Sequence, residues 1–288
     1  MSQSFDPARY FRRIGYSGPH EATLDVLRAV HALHPLAIPF ENLDPIRGKP
    51  VNVDLPSVVG KLVDAGRGGY CFEQNALFAS ALTYLGFHVT PLIGRVAWGR
   101  AFTDEAPLTH MLLRVELGGE SWLADVGFGS VTLTAPLRLG TSREQTTPLE
   151  VFQLEPVRAS DGETIGEYRL SVKSAQTWLP TYRFTPRPAE WIDYKLGNWY
   201  TSSAPESIFT NHLMACRVLP QAQGRLALLD TNLIERGPKG DVTAQTEIAS
   251  ASALVDVLEG RFGLNLAAID AHELFERALA GAAKPVVR

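Results

Sequence analysis

The chain has 288 residues, 45% of them hydrophobic, with two cysteines and a formal net charge of −4. That length exceeds one average domain and the composition supports a sizeable core, so two or three packed units are expected. The charge argues against a nucleic-acid or anionic-membrane partner, and two cysteines make no disulfide framework, which favours a reducing, cytoplasmic setting. Residues Met1-Ser2-Gln3-Ser4-Phe5-Asp6 lack a basic start and an apolar stretch, and no apolar run approaches membrane-spanning length.

From Asp6 to about Gly86 the pattern is helical. Leu24, Leu27, Val30 and Leu33 mark one apolar stripe, and His31 falls at the edge of that core-facing side. Pro56 sits just inside the next helix, after Asp54, with Val58, Val59 and Leu62 on its buried side. Arg67-Gly68-Gly69-Tyr70-Cys71-Phe72-Glu73-Gln74-Asn75 is the most informative stretch. Two glycines precede a cysteine, and Phe72, Phe78, Leu82 and Leu85 then recur at helical spacing until Gly86. A thiol at a helix N-terminus sits where the backbone dipole favours negative charge. The glycines permit close backbone approach, and first-turn N–H groups could stabilise an oxyanion. Alone, Cys71 also reads as an ordinary buried cysteine behind a loop.

From about His88 to Tyr200 the pattern turns to strands and turns. Val89 to Trp98, Met111 to Leu117, Trp122 to Val126 and Tyr168 to Lys173 read as strands. Clusters such as Thr141-Ser142-Arg143 and Ala159-Ser160-Asp161-Gly162 punctuate them. Gly118-Gly119, between Leu117 and Glu120, is a two-residue hairpin signal. Continued along both strands, the pairing sets Leu112 opposite Asp125 and His110 opposite Gly127. His110 and Asp125 then share a sheet face as diagonal neighbours, within reach of each other's side chains. A three-residue turn would flip the parity and separate them. After about Ser203 strands give way to helices, with stripes beginning at Leu254, Val257 and Leu258 and again at Leu274, Ala278 and Leu279.

Cys71, His110 and Asp125 together suit a nucleophilic triad. The imidazole would take or share the thiol proton, and the carboxylate would fix the ring tautomer and favour the imidazolium. Each of the two partners alone has a plainer reading, a half-buried strand histidine or a turn carboxylate. The same order of residues would serve a thiol hydrolase or a transglutaminase-like enzyme.

These motifs carry a resemblance. The segment Arg67 to Glu73 is similar to the nucleophile motif of the arylamine N-acetyltransferases, bacterial type. Thr109-His110-Met111 and Asp125-Val126-Gly127-Phe128-Gly129 resemble that family's histidine and aspartate motifs, at matching spacings. Pro39-Phe40-Glu41-Asn42-Leu43 matches an upstream motif, and Gly197-Asn198-Trp199-Tyr200 and Ser207-Ile208-Phe209-Thr210 match downstream segments. Tyr70 stands where many members carry arginine. The matches run from about Tyr10 to about Thr210.

The resemblance implies an α+β fold with a cysteine-protease or transglutaminase-like catalytic core. It divides the chain into a helical bundle over 1–87 carrying the cysteine, an antiparallel β-barrel-like domain over 88–202 carrying His and Asp, and an α/β lid over 203–288. It also implies acetyl-CoA as co-substrate, no metal, and ping-pong acetyl transfer to arylamines, arylhydrazines or arylhydroxylamines. Phe40, Phe128 and Phe209 would line the acceptor pocket, though each also reads as a core aromatic. Trp98, Thr210 and Gly129 would contact the coenzyme, and the protein would be a monomer or homodimer. A family relative that makes amides from a longer acyl donor stays open.

Other features carry less. No phosphate-cradling glycine pattern follows a strand, and there is no zinc-spaced Cys/His group. His20, His34, His88, His212 and His272 show no obvious partner. Arg67 and Glu41 are expected either to pair across the catalytic loop or to remain two solvated charges.

Overall fold

A computed structural model describes residues 5–158, 161–163 and 165–286. Residues 1–4 and the Ala159-Ser160 half of the predicted turn cluster lie outside the described residues.

Capping chemistry starts the N-terminal helices. Helix α1 (Pro7–Ile14) begins on Asp6, whose carboxylate accepts the Ala8 N–H at 3.0 Å, and closes on Gly15 at φ +71°. Helix α2 (Leu24–Ala37) begins on Thr23 and buries Leu27, Val30, His31 and His34. A two-residue strand β1 (Phe40–Glu41) and the short α3 (Leu43–Ile46) follow. Helix α4 (Leu55–Val59) starts from Asp54, which accepts the Ser57 N–H, and runs on into one wide turn, Gly60–Asp64. Helix α5 (Cys71–Tyr84) is buried on almost every side, from Cys71 through Phe78 and again at Ala81 and Leu82.

The central sheet holds eight antiparallel strands. They are β2 (His88–Val96), β3 (Leu108–Leu117), β4 (Glu120–Ala124), β5 (Leu137–Arg138), β6 (Glu144–Thr146), β7 (Val151–Arg158), β8 (Ile165–Ser174) and β9 (Thr177–Phe184). The spatial order is β5-β4-β3-β2-β9-β8-β7-β6, curled into a nearly closed barrel around Leu92, Leu112, Phe152, Leu170 and Tyr182. The β3–β4 ladder runs from Leu117↔Glu120 to Leu113↔Ala124, the register set by the two-glycine turn. Gly118 and Gly119 both have positive φ, +61° and +79°, as this turn type requires.

Two expectations are corrected downstream. Helix α6 (Trp191–Ser203) lies within the region read as strands and turns. Its pattern is inverted: Gly197, Asn198, Thr201 and Ser202 are buried, while Trp191, Ile192, Leu196 and Trp199 face outward. A stripe of small and polar residues does not register as a buried helix face. The second correction concerns the region after Ser203, where helices were expected to replace strands. After α7 (Ile208–Asn211) come β10 (Met214–Val218), β11 (Arg225–Leu229), β12 (Asn232–Arg236) and β13 (Val242–Glu247). They join β1 in a five-stranded antiparallel sheet, order β1-β10-β11-β12-β13. Helices α8 (Ala251–Asp256), with the wide turn Val257–Arg261 that continues it, and α9 (Ala271–Ala282) cover it, packing Leu254, Leu258, Leu274 and Ala278 onto Leu226, Leu228 and Leu233. The architecture is α+β. Among the described residues no helix is long and apolar enough to cross a membrane.

Candidate active site

The loop before Cys71 is pinned by close approach. A Cβ on Gly68 would fall on the Pro39 carbonyl oxygen, and one on Gly69 would lie 2.6 Å from a Glu73 carboxylate oxygen. Only glycine fits at 68, where the obstacle is backbone, and a side chain at 69 would have to displace the Glu73 carboxylate. The Gly69 N–H donates to Pro39 O, and the Glu41 N–H donates to Gly69 O, so the segment around Phe40 is tied to the loop. Glu73 in turn accepts the Tyr70 N–H at 3.1 Å, capping α5. Cys71 is the first residue of that helix, where N–H groups have no intrahelical acceptor. Its thiol lies 3.5 Å from Thr109 O.

Charges buttress this loop. Arg67 donates through Nε and Nη2 to one Glu41 oxygen, at 3.0 and 2.7 Å, while the other oxygen accepts the Leu43 N–H. The Arg67–Glu41 pair is therefore formed, and Glu41 is fully buried. Lys61 bridges Asp44 at 2.7 Å and Glu73 at 2.8 Å. Burial pushes the Glu73 carboxyl up to about 7 against the opposing pull of Lys61.

His110 lies within β3 and Asp125 one residue past β4. His110 Nε2 meets Asp125 Oδ2 at 2.7 Å, both side chains buried. The ring nitrogen left toward a thiol is Nδ1. Asp125 Oδ1 accepts from Asn75 Nδ2 and from the Gly127 N–H, each at 2.9 Å. Burial alone would raise the Asp125 carboxyl; the His110 charge and these hydrogen bonds outweigh it and hold the group below the carboxylate range. Burial likewise opposes the His110 imidazolium, but the Asp125 charge and hydrogen bond, with a smaller contribution from Cys71, push the ring up to about 10. Gly127 must be glycine: a Cβ there would stand 2.8 Å from Cys71 Cα. That contact seats the aspartate segment directly on the start of α5.

A cavity of about 570 Å³ opens onto Cys71 and His110. Phe40, Phe128, Phe209 and Trp98 also line it. Thr210 and Gly129 do not. The Thr210 hydroxyl donates back to Ala204 O and Ser207 O, each at 2.9 Å, and Gly129 packs against the Phe40 ring.

Comparison with known proteins matches the N-acetyltransferase family model over residues 23–271. An arylamine N-acetyltransferase of Escherichia coli K12 is 40% identical over 257 residues, covering 89% of this chain and 88% of its own. One from Mycobacterium tuberculosis H37Rv is 39% identical over 272 residues, covering 92% of each. The chain belongs to the arylamine N-acetyltransferase family. The solved structure of the Mycobacterium marinum arylamine N-acetyltransferase in complex with CoA superimposes with a TM-score of 0.87 at 37% identity, covering 95% of this chain and 98% of that one. The protein is thus an acyltransferase of this N-acetyltransferase family.

Several residues around Cys71, His110 and Asp125 or buried with partners elsewhere were missed by sequence reasoning. Asn75 lies one helical turn after Cys71, a spacing that could have marked it, and its Oδ1 also accepts the Val126 N–H. His31, read as a core-edge residue, is fully buried and its Nε2 accepts the Asp125 N–H at 3.2 Å. His34 has two partners, Tyr10 and Gln74, and His212 pairs with Asp230 at 2.7 Å. These partners are far away in sequence, so no local signal announces them.

Proposed function

We propose that this protein transfers an acetyl group from acetyl-CoA through a Cys71 thioester to an arylamine, arylhydrazine or arylhydroxylamine. One observation carries the reading: Cys71 starts α5 on the wall of a large cavity, with His110 beside it and Asp125 behind His110. In the first half-reaction the Cys71 sulfur attacks the thioester carbonyl. The oxyanion develops beside the first-turn N–H groups of α5, which suit it electrostatically. The carbon–sulfur bond to coenzyme A breaks, and the His110 imidazolium gives its proton to the departing thiolate. In the second half-reaction the amine nitrogen attacks the Cys71 thioester. Its proton passes to His110 as the bond to Cys71 sulfur breaks. Asp125 keeps the ring oriented and stabilises its charge throughout. Arylamines are neutral near pH 7, so their nitrogen is ready to attack.

Phe40, Phe128 and Phe209 are the acceptor-contacting residues in this reading, and Trp98 is a coenzyme contact on the same cavity. Thr210 and Gly129 were expected to contact the coenzyme as well, but neither lines the cavity. The units 1–87, 88–202 and 203–288 and a cytoplasmic setting complete the proposal. Incubation with acetyl-CoA and no acceptor is expected to add one acetyl group, localised to Cys71 by peptide mass analysis. Absence of the adduct, or its appearance on Cys216, would reject the covalent step.

A further inference from the structure

Helix α2 carries two histidines one turn apart, and each ends on a different half of the site. His31 and His34 are both fully buried, and neither lines the cavity. Phe78 of α5 packs edge-on against both rings, with centroids 5.5 Å away in each case.

On the aspartate side, Asp125 has left the β4 ladder, so its N–H needs another acceptor. His31 Nε2 supplies it. The ring proton must then sit on Nδ1, and that atom is buried with no hydrogen-bond partner. An orphaned buried donor is unfavourable, and an apolar side chain would not carry it. Packing therefore does not explain why a histidine stands here.

On the cysteine side, Gln74 Nε2 donates to Pro39 O at 2.9 Å and to Gly69 O at 3.2 Å. These are the two carbonyls that shape the loop before Cys71. With its amide fixed that way, Gln74 Oε1 faces His34 Nε2 at 2.6 Å, so that nitrogen carries the proton. His34 Nδ1 then accepts from the Tyr10 hydroxyl at 2.8 Å. The two rings hold opposite tautomers. Burial drives both down, His31 to about 4 and His34 to about 3, so both are neutral near pH 7.

We infer that His31 and His34 are paired positioning residues for acyl transfer, through which one helix holds the Asp125 main chain and the Cys71 loop in a common frame. This rests on the reading of Cys71, His110 and Asp125 as the acyl-transfer triad. Neither histidine touches the reacting atoms. Each acts through a hydrogen-bonded neighbour, as outer-shell partners of metal ligands do, where removal slows activity by roughly 10–100-fold.

The test is single-turnover acylation by acetyl-CoA, followed by intact mass, in His31→Leu, His31→Gln, His34→Leu and the double Leu variant. His31→Leu and His34→Leu should each slow acylation roughly 10-fold or more, with the acetyl-CoA dependence shifted less than about 3-fold. His31→Gln sets an amide oxygen near the Nε2 position and should recover most of the rate. The double variant should be little slower than the slower single one, because either loss releases the same frame. Folded Leu variants that acylate at the wild-type rate would overturn the inference. So would a Gln variant no faster than Leu, since a packing role would not distinguish an acceptor. If the Leu variants do not fold, His31→Asn against His31→Gln decides, because the shorter amide cannot reach the Asp125 N–H. Wild-type protein that never acylates at Cys71 would instead sink the triad reading.

Discussion

Among the described residues are two buried His–Asp pairs of equal length. His110 meets Asp125 at 2.7 Å, and His212 meets Asp230 at 2.7 Å. Only the first is next to a thiol and a cavity. The second is closed in. Asp230 sits in the β11–β12 turn at φ +55° and also accepts the Leu213 N–H. Gly281 of α9 lies so close that a Cβ would collide with the Asp230 carboxylate. Asn42 donates to His212 O and Phe209 O, and its Oδ1 accepts the Met214 N–H. The second pair thus joins the five-stranded sheet, the last helix and the loop after β1. A His–Asp contact supplies orientation and charge wherever it occurs. It becomes chemistry only when a nucleophile and an open wall accompany it.

The largest expected effect separates the two cysteines. Cys71→Ser should lower arylamine acetylation by roughly 10⁴-fold or more, because a hydroxyl does not supply the nucleophile that a thiolate does. Cys216→Ser should keep activity within a few-fold. Cys216 also lines the cavity, but burial pushes its thiol up to about 12, so it stays protonated. Steady-state rates with an arylamine decide it. If alkylation inactivated the enzyme through Cys216 and spared Cys71, the nucleophile assignment would fall.

The next comparison sets the same change in both pairs. Asp125→Asn should cut acylation by roughly 10²–10⁴-fold while the fold persists, because the amide favours the wrong imidazole tautomer. Asp230→Asn should leave acylation within about 3-fold and lower stability by about 1–3 kcal/mol, the usual consequence of disturbing buried hydrogen bonds. Acylation rates and urea unfolding on both variants provide the check. Equal kinetic losses would show that the two pairs do not differ in the way claimed.

A third buried pair extends the contrast to pure charge. Arg225 of β11 donates through Nε and Nη2 to both oxygens of Glu150, at 2.6 and 2.7 Å, and through Nη2 to Thr132 O. It ties the five-stranded sheet to the loops of the barrel. Arg225→Met leaves Glu150 buried without a counter-charge and should lower stability by about 3–5 kcal/mol. Adding Glu150→Leu should restore much of that, because apolar replacement of a whole buried pair is often neutral. A single variant as stable as wild type would mean that the pair is solvated.

The meeting of Cys71, His110 and Asp125 was legible because local rules place all three residues. Glycines followed by a helical stripe put Cys71 at a helix start, and a period of two counted from Gly118-Gly119 set His110 and Asp125 on one side, although the ladder ends at Leu113↔Ala124 and the expected pairings Leu112–Asp125 and His110–Gly127 do not form. The rest depended on partners that local pattern cannot reveal. Strand β1 is two residues long and pairs with β10, far along the chain. Strand β13, Val242–Glu247, is exposed at every position, so it shows no buried alternation. The β11–β12 turn is Asp230-Thr231, a weaker hairpin signal than two glycines. Helix α6 buries its polar side because Asn198 donates to Val51 O and accepts from the Tyr70 hydroxyl. His31 was placed on the correct face of α2, yet its acceptor role becomes visible only when Asp125 arrives from another element.

The smallest expected effect isolates the charge held by the first pair. His110 is pushed up to about 10 in the folded protein, against about 6.5 for an unfolded histidine. Between these values the native state binds more protons than the unfolded one, so stability must fall as pH rises. The contribution is complete below about pH 6.5 and is lost as pH climbs toward 10. The slope from one group cannot exceed about 1.4 kcal/mol per pH unit. Glu73 acts in the same direction, since it too is raised, but its window closes near 7. Asp125 is lowered, so its contribution disappears only in acid, as pH falls through the carboxylate range. The range from pH 7.5 to 9.5 therefore belongs to His110 among these groups. Urea unfolding across that range should show wild-type stability declining more steeply than that of His110→Gln. The difference between the two curves removes the background of other titrations common to both proteins. Parallel curves would mean that the ring holds no extra proton in the folded state. Asp125 would then orient a neutral imidazole, and His110 would serve as a general base instead of half of a standing charge pair.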